Sequence, residues 1–214
     1  MSKAKEKRAP LTFRRFAGLD RSGPPPPETL PDAPLRPFTV PNAIGLVRLI
    51  LIPIFVVVCW NAGGASLTAA AIYAVVAWGD YADGIAARVT GQYSRLGAML
   101  DPFIDRVLVI AGVVVCWRFE LVPIALLAAL IARELLVLVG GGFALRRGVR
   151  LEINWWGRWG VWPAMGGLFL AICGARLAAT IMLAIGLVLL VIATAEYYRS
   201  ARFLLAQRTA SGSG

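Results

Sequence analysis

Long apolar stretches follow one another from residue 43 to residue 197, and they leave few architectures open to the chain. Apolar residues make up 58% and charged residues only 16% of the 214 residues, whereas a soluble domain averages roughly 25% charged residues. Because a bilayer core of about 30 Å needs about 20 helical residues, the pattern predicts an all-α integral membrane protein with six transmembrane helices. The predicted spans cover residues 43–60, 66–86, 98–117, 121–144, 158–174 and 177–197.

Residues 1–40 differ in kind from the rest of the chain. They are rich in lysine and arginine and contain four consecutive prolines at residues 24–27. Since they contain no long apolar run, they predict a disordered basic tail rather than a signal peptide. Such a tail could also lie on anionic lipid head groups. The predicted plan is a cytoplasmic tail over 1–40, a six-helix domain over 41–205 and a flexible C-terminal tail over 206–214.

Arginines concentrate in the loops on one side of the predicted helices. These loop arginines are Arg88, Arg95, Arg146, Arg147, Arg150 and Arg158. The opposite loops are short and carry few charges, so the positive-inside rule predicts a multi-pass protein of the cell membrane with both termini in the cytoplasm. The formal charge of +10 alone would also suit a nucleic-acid-binding protein. The mean hydropathy of +0.71 instead favours the basic loops of a membrane protein, and no nucleic-acid partner is expected.

The chain contains no histidine and only three cysteines, which lie far apart in apolar stretches. The absence of histidine excludes Ser-His-Asp triads, histidine general bases and histidine metal ligands. Free cysteines in apolar surroundings are mostly packing residues. Neither a cysteine-rich zinc site nor a disulfide framework is therefore expected.

Four aspartates lie within 26 residues, inside or at the edge of the second and third predicted spans. They are Asp80, Asp83, Asp101 and Asp105. An ionised carboxylate at the bilayer centre costs roughly 2.5–3.5 kcal/mol even on the lenient insertion scale. Four such groups would cost on the order of 10 kcal/mol, a large share of the stability of a typical protein. The pattern therefore requires something that offsets the negative charge.

The spacing of the aspartates indicates what offsets their negative charge. The first pair is three residues apart and the second pair four, so each pair lies on one face of its own helix. A turn of about ten residues containing Gly91 joins the two helices, which are expected to be antiparallel neighbours with converging acidic faces. Oxygen ligands without histidine or cysteine suit Mg²⁺ or Mn²⁺, and two such ions would balance four carboxylates. A pair of divalent ions is a common device for clamping the attacking and leaving oxygens on phosphorus.

The residues around the aspartates suit a phosphate-binding site. Gly84 and Ala87 are small, so a ligand can approach the helix closely. Arg88 offers a planar fork for phosphate oxygens, Ser94 offers a hydroxyl donor, and Gly97 opens the third span. A cation transporter that uses the same acids as an ion site, and a non-catalytic membrane scaffold, are the alternatives. An ion path has no need of the two small residues and the arginine.

Residues 80–106 read DYADGIAARVTGQYSRLGAMLDPFIDR. As far as Asp105 this is D-x2-D-G-x2-A-R-x8-G-x3-D-x3-D with every fixed position filled, and Pro41-Asn42 followed by Arg48 precedes it. The pattern resembles the signature and the entry segment of the CDP-alcohol phosphotransferases. Within that family the chain is most similar to the phosphatidylglycerophosphate synthases and the cardiolipin synthases. The resemblance extends over about residues 40–200.

The resemblance implies a six-helix membrane enzyme, commonly a homodimer, that transfers a phosphatidyl group from CDP-diacylglycerol to a small alcohol and releases CMP. By position, it implies that the four aspartates hold two ions of Mg²⁺ or Mn²⁺ and that Asp105 is also the general base. It further implies contacts with the CDP-lipid. The residues carried over for these contacts are Asn42, Arg48, Gly84, Ala87, Arg88, Ser94 and Gly97.

Indications of the acceptor alcohol come from the second half of the chain. Arg133 lies in the stretch ARELL, which resembles the matching stretch of the phosphatidylglycerophosphate synthases. Together with Arg146, Arg147 and Arg158 it would form a cationic pocket for an anionic acceptor such as glycerol 3-phosphate. The later stretches VLVGGGFALRRG and GRWGVWPAM depart from the pattern of those synthases. The departures keep phosphatidylglycerol, as in a cardiolipin synthase, and acceptors such as inositol phosphate as alternatives.

Overall fold

The computed structural model describes residues 34–146 and 155–211. Over these residues the chain is all-helical, with six α-helices and no strand. The helices are α1 (Val40–Asn61), α2 (Leu67–Thr90), α3 (Arg95–Arg118), α4 (Ile124–Arg146), α5 (Trp155–Ile172) and α6 (Arg176–Ser211). The all-α prediction is therefore confirmed. The part of the predicted N-terminal tail up to residue 33 lies outside the described residues.

The first five helices begin and end within about four residues of the predicted spans. The last helix differs, because its span was predicted to end at residue 197 and α6 continues to Ser211. Hydropathy identifies only the part of a helix that is apolar enough to contact lipid, not the full length of the helix. The residues beyond 197 are rich in alanine, arginine and leucine, which favour the helix without being uniformly apolar. The helix therefore extends into the segment that the sequence analysis assigned to the C-terminal tail.

Two described stretches are long and apolar enough to cross a membrane by length and composition, Val40–Asn61 and Arg176–Glu196. The apolar stretch Gly160–Ile172 of α5 is shorter. The aspartates and arginines of α2 and α3 lower the hydropathy of those two helices. Large apolar side chains are nevertheless exposed on most helices, including Trp78, Phe103, Val139, Trp162, Leu177 and Val188. Exposed apolar surface of this extent suits contact with lipid.

The described chain divides into two compact units. The first contains residues 34–52 and 75–108, and the second contains residues 53–74 and the described residues from 109 onward. The first unit thus holds the beginning of α1, the end of α2 and the beginning of α3. Its core includes the fully buried Ile104, whose Cδ1 would lie 3.5 Å from a Cβ on Gly45. Every residue predicted to bind metal or the CDP-lipid lies in this first unit.

In the second unit, close packing of α5 on α6 depends on glycine. A Cβ on Gly167 of α5 would lie 2.8 Å from the backbone nitrogen of Leu183 on α6. A Cβ on Gly186 of α6 would lie 2.6 Å from the backbone nitrogen of Ala164. Small residues let membrane helices approach one another this closely. At these two glycines the pair packs backbone against backbone.

Candidate active site

The turn between α2 and α3 is short and is closed by its own side chains. The hydroxyl of Thr90 donates to the carbonyl of Ala86 at 2.6 Å, and Gly91 follows with a φ of 65°. A left-handed residue directly after a helix is the usual glycine stop. Ser94 then caps α3, because its Oγ accepts the backbone N–H of Gly97 at 2.9 Å. The acidic segments of α2 and α3 therefore flank one short, well-defined turn.

Asn42 connects this turn to the start of α1. The Oγ of Ser94 donates to Oδ1 of Asn42 at 2.9 Å. The Nδ2 of Asn42 in turn donates to the carbonyls of Arg36 and Pro37, at 3.0 Å each. A Cβ on Gly97 would lie only 2.7 Å from the Asn42 Oδ1, so glycine leaves room for the asparagine. Three of the predicted CDP-lipid residues thus form one hydrogen-bonded group, in which the side chains of Asn42 and Ser94 are buried.

Three of the four aspartates converge on the guanidinium of Arg48. Its Nη1 donates to Oδ2 of Asp83 at 2.8 Å, and its Nη2 donates to Oδ1 of Asp105 at 2.9 Å. The same Nη1 lies 3.7 Å from Oδ1 of Asp80. Arg48 and Asp83 are almost fully buried, whereas the side chains of Asp80 and Asp105 are 51% and 43% exposed. Arg48 was predicted to contact the CDP-lipid, and in the structure its guanidinium bonds the carboxylates.

The stem of Arg48 passes α2 at Gly79. A Cβ on Gly79 would lie 2.6 Å from Cδ of Arg48 and 2.8 Å from its Cγ. The Nε of Arg48 donates to the carbonyl of Val76 at 2.9 Å, so all three nitrogens of the guanidinium are engaged. Gly79 was not predicted as a site residue, because it lies one residue outside the spacing motif that begins at Asp80. Its only signal was a glycine at the end of the apolar first half of the helix.

Gln92, in the turn, is a second residue that the sequence analysis did not single out. Its Oε1 accepts the backbone N–H of Val40 at 2.9 Å. Val40 is the first residue of α1, where backbone N–H groups have no partner within the helix. The turn therefore holds the start of α1 through an exposed contact as well as through Asn42.

The end of α2 carries a second arginine beside small residues. The guanidinium of Arg88 lies along the helix at Gly84, where a Cβ would be 3.5 Å from Nη1 and 3.7 Å from Nη2. Gly84 and Ala87 are both partly exposed. A planar cation therefore lies beside a helix surface that is open to a close-fitting ligand.

The donor set of the four aspartates fits divalent cations that prefer oxygen ligands. Asp101 is partly buried and lies within electrostatic range of the other three carboxylates. Among the side chains that the structure describes, no group of three or more acidic or cysteine residues is close enough to hold one ion. Arg48 lies between Asp83 and Asp105 and bonds one oxygen of each. Metal binding would therefore need these carboxylates to turn towards the ion.

Of the predicted acceptor residues, Arg133 is the one with a described side chain. It lies on α4 in the second unit, where its Nε donates to Oγ1 of Thr194 at 3.2 Å and its Nη1 donates to Glu134. The side chain of Arg133 is only 14% exposed. Arg146 and Arg158 lie in α4 and α5, but their side chains are outside the described part of the chain, as is the whole of Arg147. The predicted cationic pocket stays a prediction.

The fold and the site together define an all-helical protein with a cluster of aspartates on a buried arginine, beside a turn suited to a phosphate-bearing ligand. The chain belongs to the CDP-alcohol phosphatidyltransferase family, whose profile matches residues 38–195. Members of this family are membrane-embedded, use CDP-diacylglycerol and an alcohol acceptor, and generally depend on divalent metal ions.

Curated relatives carry two kinds of name. The chain is 42% identical over 103 residues to a CDP-diacylglycerol–glycerol-3-phosphate 3-phosphatidyltransferase of Salmonella typhimurium, covering 47% of this chain and 57% of the relative. It is 30% identical over 138 residues to the enzyme of the same name from Bacillus subtilis, covering 56% and 72%. It is 36% identical over 118 residues to a CMP-forming cardiolipin synthase of Streptomyces coelicolor, covering 53% and 54%. The chain spans about half the length of most of the curated relatives it matches.

Proposed function

We propose that the protein is an enzyme of phospholipid synthesis that transfers the phosphatidyl group of CDP-diacylglycerol to an alcohol acceptor and releases CMP. The convergence of Asp80, Asp83 and Asp105 on one buried arginine carries the proposal. Buried carboxylates need compensating positive charge, and one arginine supplies a single charge to three aspartates, so bound cations would supply the rest. Membership of the family, and relatives named for two such transfers, support the same reaction.

The four aspartates would hold two Mg²⁺ or Mn²⁺ ions. When bound, such ions would neutralise the pyrophosphate of the substrate and stabilise CMP as the leaving group. Asp80 and Asp105 are accessible, since roughly half of each side chain is exposed, and Asp101 is partly exposed as well. The side chain of Asp83 is only 4% exposed, and it joins the cluster to the protein interior through its contact with the buried Arg48.

The CDP part of the substrate would lie along the end of α2 and the turn that follows. Arg88 would donate to phosphate oxygens beside Gly84, and Ala87 would leave room for the nucleotide. The group formed by Asn42, Ser94 and the α3 glycine Gly97 would shape the neighbouring wall. The acyl chains would stay in lipid while the nucleotide reaches water.

Asp105 would act as the general base. Its carboxylate is partly exposed and is held in place by Arg48, so an acceptor hydroxyl can reach it in a fixed orientation. Asp105 would take the hydroxyl proton while the acceptor oxygen bonds to the phosphorus that carries diacylglycerol. The bond from that phosphorus to the bridging oxygen breaks, and CMP leaves with the electron pair. A carboxylate is a weak base for an alcohol, so much of the acceleration must come from proximity.

Glycerol 3-phosphate is the acceptor we propose first. Its phosphate would suit the arginines of α4 and α5, and relatives from two organisms are named for this acceptor. Phosphatidylglycerol is the second candidate. The apolar residues that follow ARELL, and the relative named as a cardiolipin synthase, favour that lipid acceptor.

We also propose that all six helices span the cell membrane, that both termini face the cytoplasm, and that the protein forms a homodimer. The basic loops support the orientation. The site would then lie near the cytoplasmic surface, because Arg88 and Gly91 belong to the loop side that carries the positive charges. Light scattering of the purified protein, corrected for detergent, tests the dimer, and cysteine labelling of loop positions in intact cells tests the orientation.

An acceptor screen tests the reaction. Purified protein would be supplied with CDP-diacylglycerol, Mg²⁺ and one acceptor at a time, and both CMP and the lipid product would be followed. We expect CMP release with glycerol 3-phosphate or phosphatidylglycerol, loss of that release in EDTA, and recovery on adding Mg²⁺ or Mn²⁺. Absence of CMP with every acceptor, including serine and inositol phosphate, would contradict the proposal. Flux of divalent ions into proteoliposomes without CDP-lipid would favour a transporter instead.

A further inference from the structure

Arg48 makes more contacts than an ordinary ion pair, because each of its three guanidinium nitrogens donates a hydrogen bond. The residue lies on α1, yet its three nitrogens reach two other helices: Nε and Nη1 contact α2, and Nη2 contacts α3. A guanidinium is planar and carries five N–H donors in a fixed fork, so engaging all three nitrogens sets the orientation of its plane. The partners on the carboxylate side are Asp83 and Asp105, which belong to different helices.

Charge explains why a cation is needed at this point. A buried carboxylate must be paired or it costs a large desolvation free energy. Asp83 is 4% exposed, and its neighbours within electrostatic range are other aspartates as well as Arg48. Among the described side chains, Arg48 is the positive charge in direct contact with three of these aspartates. It therefore counteracts the mutual repulsion of the site.

Gly79 makes this position of Arg48 possible. A Cβ at residue 79 would lie 2.6 Å from Cδ and 2.9 Å from Nε of Arg48. A long side chain can often move away from such a contact, but here the far end is fixed to Val76, Asp83 and Asp105. Because Arg48 is 2% exposed, it has little free space into which to shift. A methyl group at residue 79 would therefore displace the guanidinium from the carboxylates.

We infer that Arg48 is a positioning residue that holds the carboxylates of Asp83 and Asp105 together while no metal is bound, and that Gly79 is the position on α2 that admits it. Because a divalent ion and Arg48 would bind the same carboxylates, the arginine opposes tight metal binding. In the metal-free protein it keeps these carboxylates together. This inference rests on the proposed metal site at the aspartates.

The test compares Arg48→Gln, Arg48→Lys and Gly79→Ala with the unmodified protein in detergent. Thermal midpoints are measured in EDTA and in saturating Mn²⁺, and Mn²⁺ binding is followed by electron paramagnetic resonance. For Arg48→Gln we expect the midpoint in EDTA to fall by on the order of 5 °C and Mn²⁺ to restore most of that loss. We expect a higher Mn²⁺ affinity than that of the unmodified protein, because a larger Mn²⁺-induced stabilisation requires tighter binding. The midpoint of Gly79→Ala in EDTA should also fall and recover in Mn²⁺. Arg48→Lys keeps the charge but not the planar fork, so its midpoint should lie between those of Arg48→Gln and the unmodified protein.

Kinetics separate positioning from substrate contact. Displaced carboxylates should lower kcat by about 10²-fold, while KM for CDP-diacylglycerol stays near its original value. Gly45→Ala is the matched control, because Gly45 lies on the same turns of α1 and a Cβ there would meet only Ile104 Cδ1, at an ordinary 3.5 Å. It should leave the response to Mn²⁺ and the activity unchanged.

Three outcomes would overturn the inference. The first is an equal Mn²⁺-induced shift of the midpoint in Arg48→Gln and in the unmodified protein. The second is a raised KM with unchanged kcat, which would make Arg48 a direct substrate contact. The third is an unmodified protein that binds no Mn²⁺, which would also remove the proposed metal site, whereas the first two leave that site intact. Arg48→Gln could be replaced in this test if it does not accumulate as folded protein. Arg48→Lys and Gly79→Ala both keep a positive charge at residue 48, and their midpoints in EDTA and in Mn²⁺ can be compared with those of the unmodified protein in the same way.

Discussion

The side-chain hydroxyl of Ser94 donates to Oδ1 of Asn42 at 2.9 Å, across 52 residues of sequence. The bond joins the N-terminal cap of α3 to the first turn of α1, and both side chains are buried. Because Asn42 also holds the carbonyls of Arg36 and Pro37, one amide orders three segments of the first unit. The residues proposed to contact the CDP-lipid therefore depend on one another for their positions.

Asn42→Ala should destabilise the protein by roughly 1–3 kcal/mol, because it leaves the Ser94 hydroxyl and two carbonyls without their partner. It should also raise KM for CDP-diacylglycerol. Thermal unfolding in detergent and steady-state kinetics measure the two effects. Gln92→Ala is the matched control, since Gln92 also bonds the start of α1 across 52 residues but does so in an exposed position. It should change stability by no more than about 0.5 kcal/mol, and equal losses in the two variants would contradict the argument.

Asp105→Asn should lower kcat by about 10²–10⁴-fold, because an amide cannot take the proton of the acceptor. The amide oxygen can still accept from Arg48, so the thermal midpoint should change little. CMP release with saturating substrates gives the rate. Glu120→Gln makes the same chemical change at an exposed carboxylate after α3, in the other unit, and should keep full activity. An active Asp105→Asn would rule out the general-base assignment.

Gly97→Ala and Gly84→Ala distinguish packing from ligand contact. A Cβ on Gly97 would lie 2.7 Å from Asn42 Oδ1 and 3.2 Å from Ser94 Oγ, so overpacking should cost roughly 1–3 kcal/mol of stability. A Cβ on Gly84 would make an ordinary contact of 3.5 Å with Arg88. Gly84→Ala should therefore keep or slightly raise stability and mainly raise KM for CDP-diacylglycerol. Unchanged KM in Gly84→Ala would mean that the substrate does not approach α2 there.

Arg133→Gln should raise KM for glycerol 3-phosphate and leave KM for CDP-diacylglycerol unchanged, if Arg133 binds the acceptor phosphate. Initial rates at fixed CDP-diacylglycerol and varied acceptor measure this. Thr194→Val is the control, because it removes the bond to Arg133 Nε and keeps the guanidinium. Equal effects of the two variants would indicate that Arg133 serves to join α4 to α6 instead.

The helices and the pairing of the aspartates were predictable because they depend on local rules. Apolar length set the helices to within about four residues at all ends but the last, where helix-favouring polar residues carry α6 to Ser211. Spacings of three and four residues place each acidic pair on one helix face, whatever the rest of the chain does. The same spacings carried the family resemblance, which the match over residues 38–195 confirms.

Only the tertiary structure decided what the aspartates contact. The sequence shows Arg48 as one arginine in an apolar span, and nothing local relates it to Asp83 or Asp105, which lie 35 and 57 residues further on. That contact exists because the segments of α1, α2 and α3 in the first unit lie together and because Gly79 leaves room for the arginine stem. In the same way Ser94 is recognisable as a helix cap from local sequence, but its bond to Asn42 is not. Helical periodicity acts over a few residues, whereas charge compensation in a buried site depends on which side chains the packing brings together.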